Sequence, residues 1–236
     1  MSKPAAKSPE YALDWLRKNG SKAGLDGMAR YNIPSDKAFG VPMNRIQALA
    51  KELGRDHGLA QALWKTGSYE ARLLAAYVDE PARVTAAQMD RWCREFDNWA
   101  VVDTLCFALF DRTADAWSRV PKWAKEEGEF QKRAAFALLW GLTVHDKACG
   151  DAPFLEALPL AERAAVDERH FVKKAVNMAL RAVGKRNRAL NQAAIAVAKR
   201  LAASAAPAPR WVGKDALREL QAPALASRLK GRRGAP

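Results

Sequence analysis

Apolar residues along this chain recur every three to four positions, which is the spacing of one face of an α-helix. The period is clear in residues 11–16 (YALDWL) and 44–53 (NRIQALAKEL), and no convincing segment alternates apolar and polar residues as a half-buried strand does. Short clusters of Gly, Pro and Asp at 65–68, 79–81 and 150–153 interrupt the pattern. The sequence therefore predicts an all-α protein whose helices have ordinary lengths and short connecting loops.

Three of these helical segments resemble one another, at residues 68–76, 130–138 and 171–180. Each starts with an aromatic or small residue, continues with a charged pair and ends in an Ala-rich apolar run. When the three segments are superposed, Arg72, Arg133 and Lys174 fall at the same position. They are 61 and 41 residues apart in the chain. Degenerate helical-pair repeats of about 40 residues have this pattern, and they stack into a curved solenoid with a concave face. A shared Ala-rich composition explains the likeness equally well.

The charge of the chain indicates its class of partner. Its 236 residues include 39 Lys and Arg against 26 Asp and Glu, which gives a net charge of +13. An excess of this size predicts a polyanionic partner, and double-stranded DNA is the first expectation. An acidic protein or a merely solubilising surface would also account for it. The charge is concentrated in one apolar-periodic segment and in the C-terminal tail: Lys173, Lys174, Arg181, Lys185, Arg186 and Arg188, then Arg228, Lys230, Arg232 and Arg233.

Several function classes find no support in the sequence. No apolar run reaches the roughly 18 residues that a membrane span needs, so we expect a soluble, cytoplasmic protein that joins the bacterial nucleoid when bound to DNA. No metal or cofactor is expected, because neither the cysteines nor the histidines have the spacing of metal ligands. These residues are Cys93, Cys106, Cys149, His57, His145 and His170. A Gly-rich phosphate loop and a Ser-His-Asp arrangement are also missing.

Composition divides the chain into five parts. Residues 1–8 lack the apolar core of a signal peptide and are expected to be a disordered leader. Residues 9–202 carry the repeats, and residues 203–209 (ASAAPAP) have the composition of a linker. A short C-terminal helix over 210–227 with Trp211 as its anchor, and a basic disordered tail over 228–236, complete the prediction. A monomer is expected, since an intact concave groove needs no second copy.

The most informative pairing lies in the apolar segment around Trp99 and Asp103. In a helix these residues are one turn apart on the same face, so that a carboxylate lies beside an aromatic ring. A buried carboxylate without a partner is costly, and Asp103 therefore needs either a cationic neighbour or a chemical role. One interpretation is purely structural, with Asp103 paired to Arg133 and Trp99 in the core. The other interpretation is a functional site.

Further blocks of sequence carry a resemblance to a known family. They are MARY at 28–31 followed by FGVP at 39–42, PKW at 121–123 leading to QKRAA at 131–135, and FVKKAVNMALR at 171–181. Together with the W-x-x-x-D pair at 99–103, they resemble the AlkD-like DNA alkylation repair glycosylases in order and separation over roughly residues 10 to 200. The resemblance implies a horseshoe of HEAT-like helical repeats. It also implies removal of N3- and N7-alkylated purines without a metal and without flipping the base into a pocket.

The resemblance assigns roles residue by residue. Asp103 matches the catalytic carboxylate, Trp99 an aromatic that packs on the lesion nucleotide, and Arg133 the arginine beside the DNA backbone. Tyr31 matches a lesion-proximal tyrosine. Two positions depart from the family pattern, because a third tryptophan falls on Met178 and a glutamine near the first repeat falls on Pro42. The group expected to bind phosphates, and so to fix register without reading sequence, is Lys173, Lys174, Arg181, Lys185 and Arg186.

These residue types suit the implied chemistry. Alkylation at N3 or N7 makes the purine cationic and a good leaving group, so what remains is to stabilise an oxocarbenium-like sugar and place a water, as an ionised Asp103 can do. The Trp99 ring can contribute about 0.5 to 2 kcal/mol by a cation–π contact, which Met178 cannot reproduce. Two alternatives stay open: a non-catalytic relative that binds bent, branched or damaged DNA, and a helical-repeat scaffold for an acidic protein. Arg133 as a simple counter-charge and Met178 as core filling also stay open.

Overall fold

In a computed structural model, which describes residues 8–230, every regular element is a helix. The prediction of an all-α fold is therefore confirmed. Within this range no helix is long and apolar enough to cross a membrane. The fourteen α-helices of these residues are α1 (Pro9–Asn19), α2 (Lys22–Ala29), α3 (Met43–Leu53), α4 (His57–Lys65), α5 (Tyr69–Val78), α6 (Ala86–Arg94), α7 (Trp99–Ala108), α8 (Ala116–Trp123), α9 (Glu129–His145), α10 (Ala152–Ala164), α11 (His170–Gly184), α12 (Arg188–Ala202), α13 (Pro207–Leu220) and α14 (Pro223–Lys230). Single 3-10 turns occupy Pro81–Arg83 and Phe110–Arg112.

The chain divides into two compact units, where composition suggested one repeat domain. The N-terminal unit ends at Thr113 and the C-terminal unit begins at Ala114. In the N-terminal unit, α5 contacts α1, α3, α4 and α7. The Trp64 ring of α4 stacks on the Trp92 ring of α6 with centroids 4.2 Å apart, and Trp92 is completely buried. Aromatic stacking of this kind holds α6 to the rest of the unit.

A buried carboxylate fixes the loop between α2 and α3. Glu70 has no exposed surface, and it accepts hydrogen bonds from the backbone N–H groups of Phe39, Gly40 and Val41 at 2.7 to 3.1 Å. Gly40 has φ +78°, and a Cβ at this position would lie 2.3 Å from the carbonyl oxygen of Ser21. Only glycine fits there. The FGVP block is thus a tightly specified loop that leads into α3.

In the C-terminal unit, α11 occupies the middle and contacts α9, α10, α12 and α13. Its buried face follows the helical period, with Val172, Val176, Leu180 and Val183 completely buried. A hydrogen bond also joins α11 to α13, because the Asn177 side chain donates to the carbonyl oxygen of Val212 on α13. The helices that start at Tyr69, Glu129 and His170 are the three segments whose sequences resemble one another.

The C-terminal boundaries differ from the sequence prediction. Residues 203–209 do not form one linker, because α13 begins at Pro207 and leaves 203–206 as the connection. The single helix predicted at 210–227 is two helices, α13 and α14, which are separated at residues 221–222. Arg228, assigned to the tail, belongs to α14. The rest of that tail, from 231 onward, and residues 1–7 of the predicted leader lie outside the described residues.

Candidate nucleic-acid interface

Helix α7 presents Trp99 and Asp103. Its N-cap is Asn98, whose side chain accepts a hydrogen bond from the N–H of Val101 at 3.0 Å. Asn98 is buried, with 3% of its surface exposed. The cap satisfies an N–H group that the first turn would leave open, which is why the helix begins at Trp99. Trp99 and Asp103 are four residues apart within this helix and share a face, as predicted. Both are partly buried.

Trp99 is anchored to the turn that follows α2. Its ring packs against the small cluster of Met28, Ile33 and Ala100, and its indole N–H donates to the carbonyl oxygen of Tyr31 at 2.8 Å. The Tyr31 ring itself is 64% exposed. The structure thus brings together Trp99 and the MARY block, two motifs that sequence reasoning could only place in order. Trp99 is part core and part surface.

Arg133 lies in the second turn of α9 and is almost entirely buried, with 4% of its surface exposed. Its guanidinium donates to the carbonyl oxygen of Phe171 at the start of α11, at 2.8 Å. This bond ties α9 to α11 within the C-terminal unit. With so little exposed surface, Arg133 has a structural part in this unit whatever contact it makes with DNA.

A basic stripe follows α11. Lys174, Arg181 and Lys185 share a face with Met178, at intervals of four, three and four residues. Lys174 is exposed. Arg181 and Lys185 both form ion pairs with Glu219 of α13, and Arg181 lies 3.5 Å from Asp215 as well.

These contacts shift the ionisation of Glu219. Burial alone would raise the pKa of its carboxyl group, but the hydrogen bonds and charges of Lys185 and Arg181 outweigh burial and lower that pKa. Glu219 is therefore a stable negative charge next to two cations that were predicted to bind phosphates.

Lys173 makes a different contact, since its ammonium group stands over the Trp211 ring at 5.4 Å from the ring centroid. Trp211 is the anchor predicted for the C-terminal helix. It is nevertheless 41% exposed, so it covers α11 only in part. A half-exposed tryptophan with the ammonium group of Lys173 over its ring is a surface that suits nucleic acid.

Arg186, which was predicted to contact phosphate, makes structural contacts within the C-terminal unit. Its guanidinium donates to the carbonyl oxygens of Thr143 at 2.9 Å, Asp146 at 3.1 Å and Cys149 at 3.1 Å. It also stacks 4.1 Å above the Phe154 ring, and burial lowers its pKa. The N–H groups of Arg186 thus bind the free carbonyl oxygens at the end of α9 and in the loop after it, and they hold both in place.

An open groove of about 690 Å³ lies entirely within the C-terminal unit. Its walls are α9 and α11, and we call it the C-terminal groove. Most residues that line this groove were not predicted from the sequence. A helical spacing was nevertheless visible, because Trp140 follows Arg133 by seven residues and Val144 follows Trp140 by four. Among the described residues that line it, Asp151 is the one acidic side chain; the others include Trp140, Val144, Lys147, Met178, Arg181, Lys185 and Arg228. No group of three His, Cys, Asp or Glu side chains that could hold a metal occurs within residues 8–230.

Residues 12–220 match the family model described as DNA alkylation repair enzyme. The chain belongs to this family. A solved structure described as a new family of proteins related to the HEAT-like repeat DNA glycosylases with affinity for branched DNA structures superposes with a TM-score of 0.77. It shares 19% sequence identity, and the match covers 97% of this chain and 99% of the other. Among curated proteins, no sequence matches this one.

As a member of the DNA alkylation repair family, the chain has the fold that the motifs implied, and the resemblance is confirmed. The structure shows where the two residues that depart from the family pattern lie. Pro42 is the N-cap residue of α3, where a missing N–H has no cost. Met178 lines the C-terminal groove.

Proposed function

We propose that this protein is a DNA glycosylase that hydrolyses the N-glycosidic bond of cationic N3- and N7-alkylated purines in duplex DNA, without metal or base flipping. The observation that carries the proposal is the pairing of Trp99 and Asp103 on α7, with the indole N–H held by Tyr31. A fixed aromatic ring next to a carboxylate is sufficient for this hydrolysis, because the cationic purine is already a good leaving group.

Each member of this pairing has a defined task. The Asp103 carboxylate stabilises the positive charge that develops on the sugar and orients the attacking water. The face of the Trp99 ring, kept in place by its bond to the turn after α2, lies against the cationic lesion nucleotide. Tyr31 is exposed next to it and extends this surface. Arg133, by its match to the family arginine, contacts the DNA backbone in this proposal.

DNA binding itself follows from the surplus of positive charge. In the predicted phosphate group, Lys173 and Lys174 form no ion pair with a carboxylate of residues 8–230. Arg181 and Lys185 share Glu219, and Arg186 donates to backbone carbonyl oxygens. Contacts of this type neutralise phosphates whatever the base sequence and weaken with salt. We expect the protein to act on duplex DNA as a monomer, in the cytoplasm and on the bacterial nucleoid.

A second candidate function is non-catalytic recognition of bent, branched or damaged DNA. Met178 favours it, because a thioether at this position provides no aromatic face for the lesion. The affinity for branched DNA described for the protein with the similar fold also favours it. In this case Trp99 positions the turn after α2, and neither Trp99 nor Asp103 takes part in hydrolysis.

One assay tests the proposal. Duplex DNA that contains 7-methylguanine or 3-methyladenine is incubated with excess protein, and the released base is measured in a single turnover. Asp103→Asn should lower the rate at least about 100-fold. Asp26→Asn, an exposed carboxylate in the same unit, should leave the rate unchanged.

The outcomes separate the candidates. If no base is released and duplex binding is sensitive to salt, the second candidate stands and the glycosylase proposal fails. If no duplex binds at low salt, a scaffold for an acidic protein replaces both. The variant Met178→Trp tests the departure from the family, and base release from small cationic lesions should rise if the missing ring limits turnover.

A further inference from the structure

The C-terminal groove combines a flat apolar wall with a charged rim. Trp140 and Val144 are one turn apart on α9, and Met178 lies on α11, which packs against α9. An indole ring and a thioether next to each other suit a planar, polarisable group such as a nucleobase. Val144 is 40% exposed, so part of this apolar wall faces solvent.

The rim of the groove supplies positive charge that the protein does not itself neutralise. Arg181 and Lys185 are held by Glu219, but Lys147 and Arg228 have no carboxylate within ion-pair distance in the part of the chain that the structure describes. The carboxylate of Asp151 accepts a hydrogen bond from Asn187 at 2.7 Å. The side chains that line the groove therefore carry a net positive charge. Lys147 and Arg228 belong to different elements, the loop after α9 and the helix α14.

The size of the groove restricts what it can accept. A volume of about 690 Å³ is within the range of sites that take a small molecule, about 300 to 1,000 Å³. A double helix is too wide for it. A single nucleotide, with a flat base and charged phosphates at its edge, fits both the wall and the rim.

We propose that the C-terminal groove binds one unstacked nucleotide of the DNA, with the base against Trp140 and Met178 and a phosphate at Lys147 and Arg228. Such nucleotides occur at bulges, branch points and strand ends. The proposal rests on the DNA binding of the proposed function and is independent of base hydrolysis. It gives the C-terminal unit a site of its own, which selects distorted DNA over a regular duplex.

The test uses the full-length chain and two DNA duplexes that differ by one nucleotide. One duplex is fully paired, and the other carries a single 2-aminopurine bulge. We expect binding measured by anisotropy to be at least about fivefold tighter for the bulged duplex. The fluorescence of 2-aminopurine should fall at saturation, because the base stacks on Trp140. In Trp140→Leu this fall should disappear.

Two charge variants test the groove without changing a buried residue, each with a matched control. Val144→Glu places a carboxylate in the apolar wall and should remove the preference for the bulge. Val166→Glu changes an exposed valine that does not line the groove. Lys147→Glu should act like Val144→Glu. Lys199→Glu, on the exposed part of α12, should keep the preference.

The results distinguish the two proposals. If neither duplex binds at low salt, DNA binding and with it the proposed function fail. If both duplexes bind equally and 2-aminopurine fluorescence is unchanged, or if the preference persists in Val144→Glu, the groove proposal fails while DNA binding stands. Loss of the preference in Val144→Glu and Lys147→Glu, with the controls unaffected, supports it.

Discussion

The indole N–H of Trp99 donates to the carbonyl oxygen of Tyr31 at 2.8 Å, and so joins two residues that are 68 positions apart in the chain. We expect Trp99→Phe to keep the packing on Met28 and Ile33 but to lose this bond, at a cost of about 1 kcal/mol in the free energy of unfolding. Urea denaturation measures the loss, and amide hydrogen exchange should accelerate at residues 30–33. Trp211→Phe, at a half-exposed ring, should change stability by less than about 0.5 kcal/mol. Equal losses in the two variants would contradict the prediction.

Glu70 should be among the most sensitive positions of the N-terminal unit. Glu70→Gln keeps the shape of the side chain but removes its charge and turns an N–H donor toward the amides of Phe39, Gly40 and Val41. The expected loss is about 2 to 3 kcal/mol, because charged hydrogen bonds are lost and a buried donor is left unsatisfied. Thermal and urea unfolding measure it. The same change at the exposed Glu156 should have almost no effect, and a small loss at Glu70 would mean that the loop can rearrange.

Glu219 is expected to restrain DNA binding. Glu219→Gln frees Lys185 and leaves Arg181 with Asp215 alone, so affinity for duplex DNA should rise several-fold at low salt. The slope of the logarithm of affinity against the logarithm of salt concentration should steepen by up to about 2. Titrations at several salt concentrations measure both quantities. Glu162→Gln, which releases Arg200 elsewhere in the same unit, is the matched control. An unchanged slope in Glu219→Gln would place α11 outside the interface.

The stability of the C-terminal unit should depend on pH through Asp167. A hydrogen bond from the Arg169 side chain, which outweighs the effect of burial, lowers the pKa of this carboxyl group, and Lys132 adds to the shift. A lowered pKa in the folded state stabilises the protein above the unfolded pKa of about 3.9, and this contribution disappears as pH falls through the folded value. Asp167→Asn should therefore cost about 1 to 2 kcal/mol at pH 7, and this cost should shrink as pH falls through the folded pKa.

Unfolding curves at a series of pH values test this prediction. The stability curves of the native chain and of Asp167→Asn should converge on the acid side. The exposed pair of Lys22 and Asp26 provides the control, because Asp26→Asn should change stability by less than about 1 kcal/mol at any pH. Parallel curves for Asp167→Asn would show that its ionisation is not linked to folding.

The helical period predicted the fold class and the starts of the repeat-like helices, but it could not predict what each repeat position does. Arg72, Arg133 and Lys174 occupy the equivalent place near the start of α5, α9 and α11. Arg72 lies over the Trp64 ring and bonds Glu95, Arg133 is buried on the carbonyl oxygen of Phe171, and Lys174 is exposed. A long cationic side chain takes the partner that its surroundings offer, and these surroundings come from other helices.

The errors at the C-terminus have equally specific causes. Pro207 and Pro209 resemble a linker in composition, yet they stand in the first turn of α13, where the missing N–H groups have no helical partner anyway. The backbone contacts of Arg186 could not be predicted, because carbonyl oxygens leave no mark in a sequence. The C-terminal groove depends on α9 and α11 lying side by side, so that Trp140 and Met178 line the same groove although 38 residues separate them.

The position of Arg186 also has a consequence for the order in which the chain folds. Its three carbonyl partners lie 43, 40 and 37 residues earlier, at the end of α9 and in the loop that follows. A chain that emerges from the ribosome therefore exposes this loop well before the side chain that closes it. We expect the end of α9 and the loop after it to become stable only after Arg186 has been synthesised. Repeats that look independent in sequence thus depend on one another during synthesis.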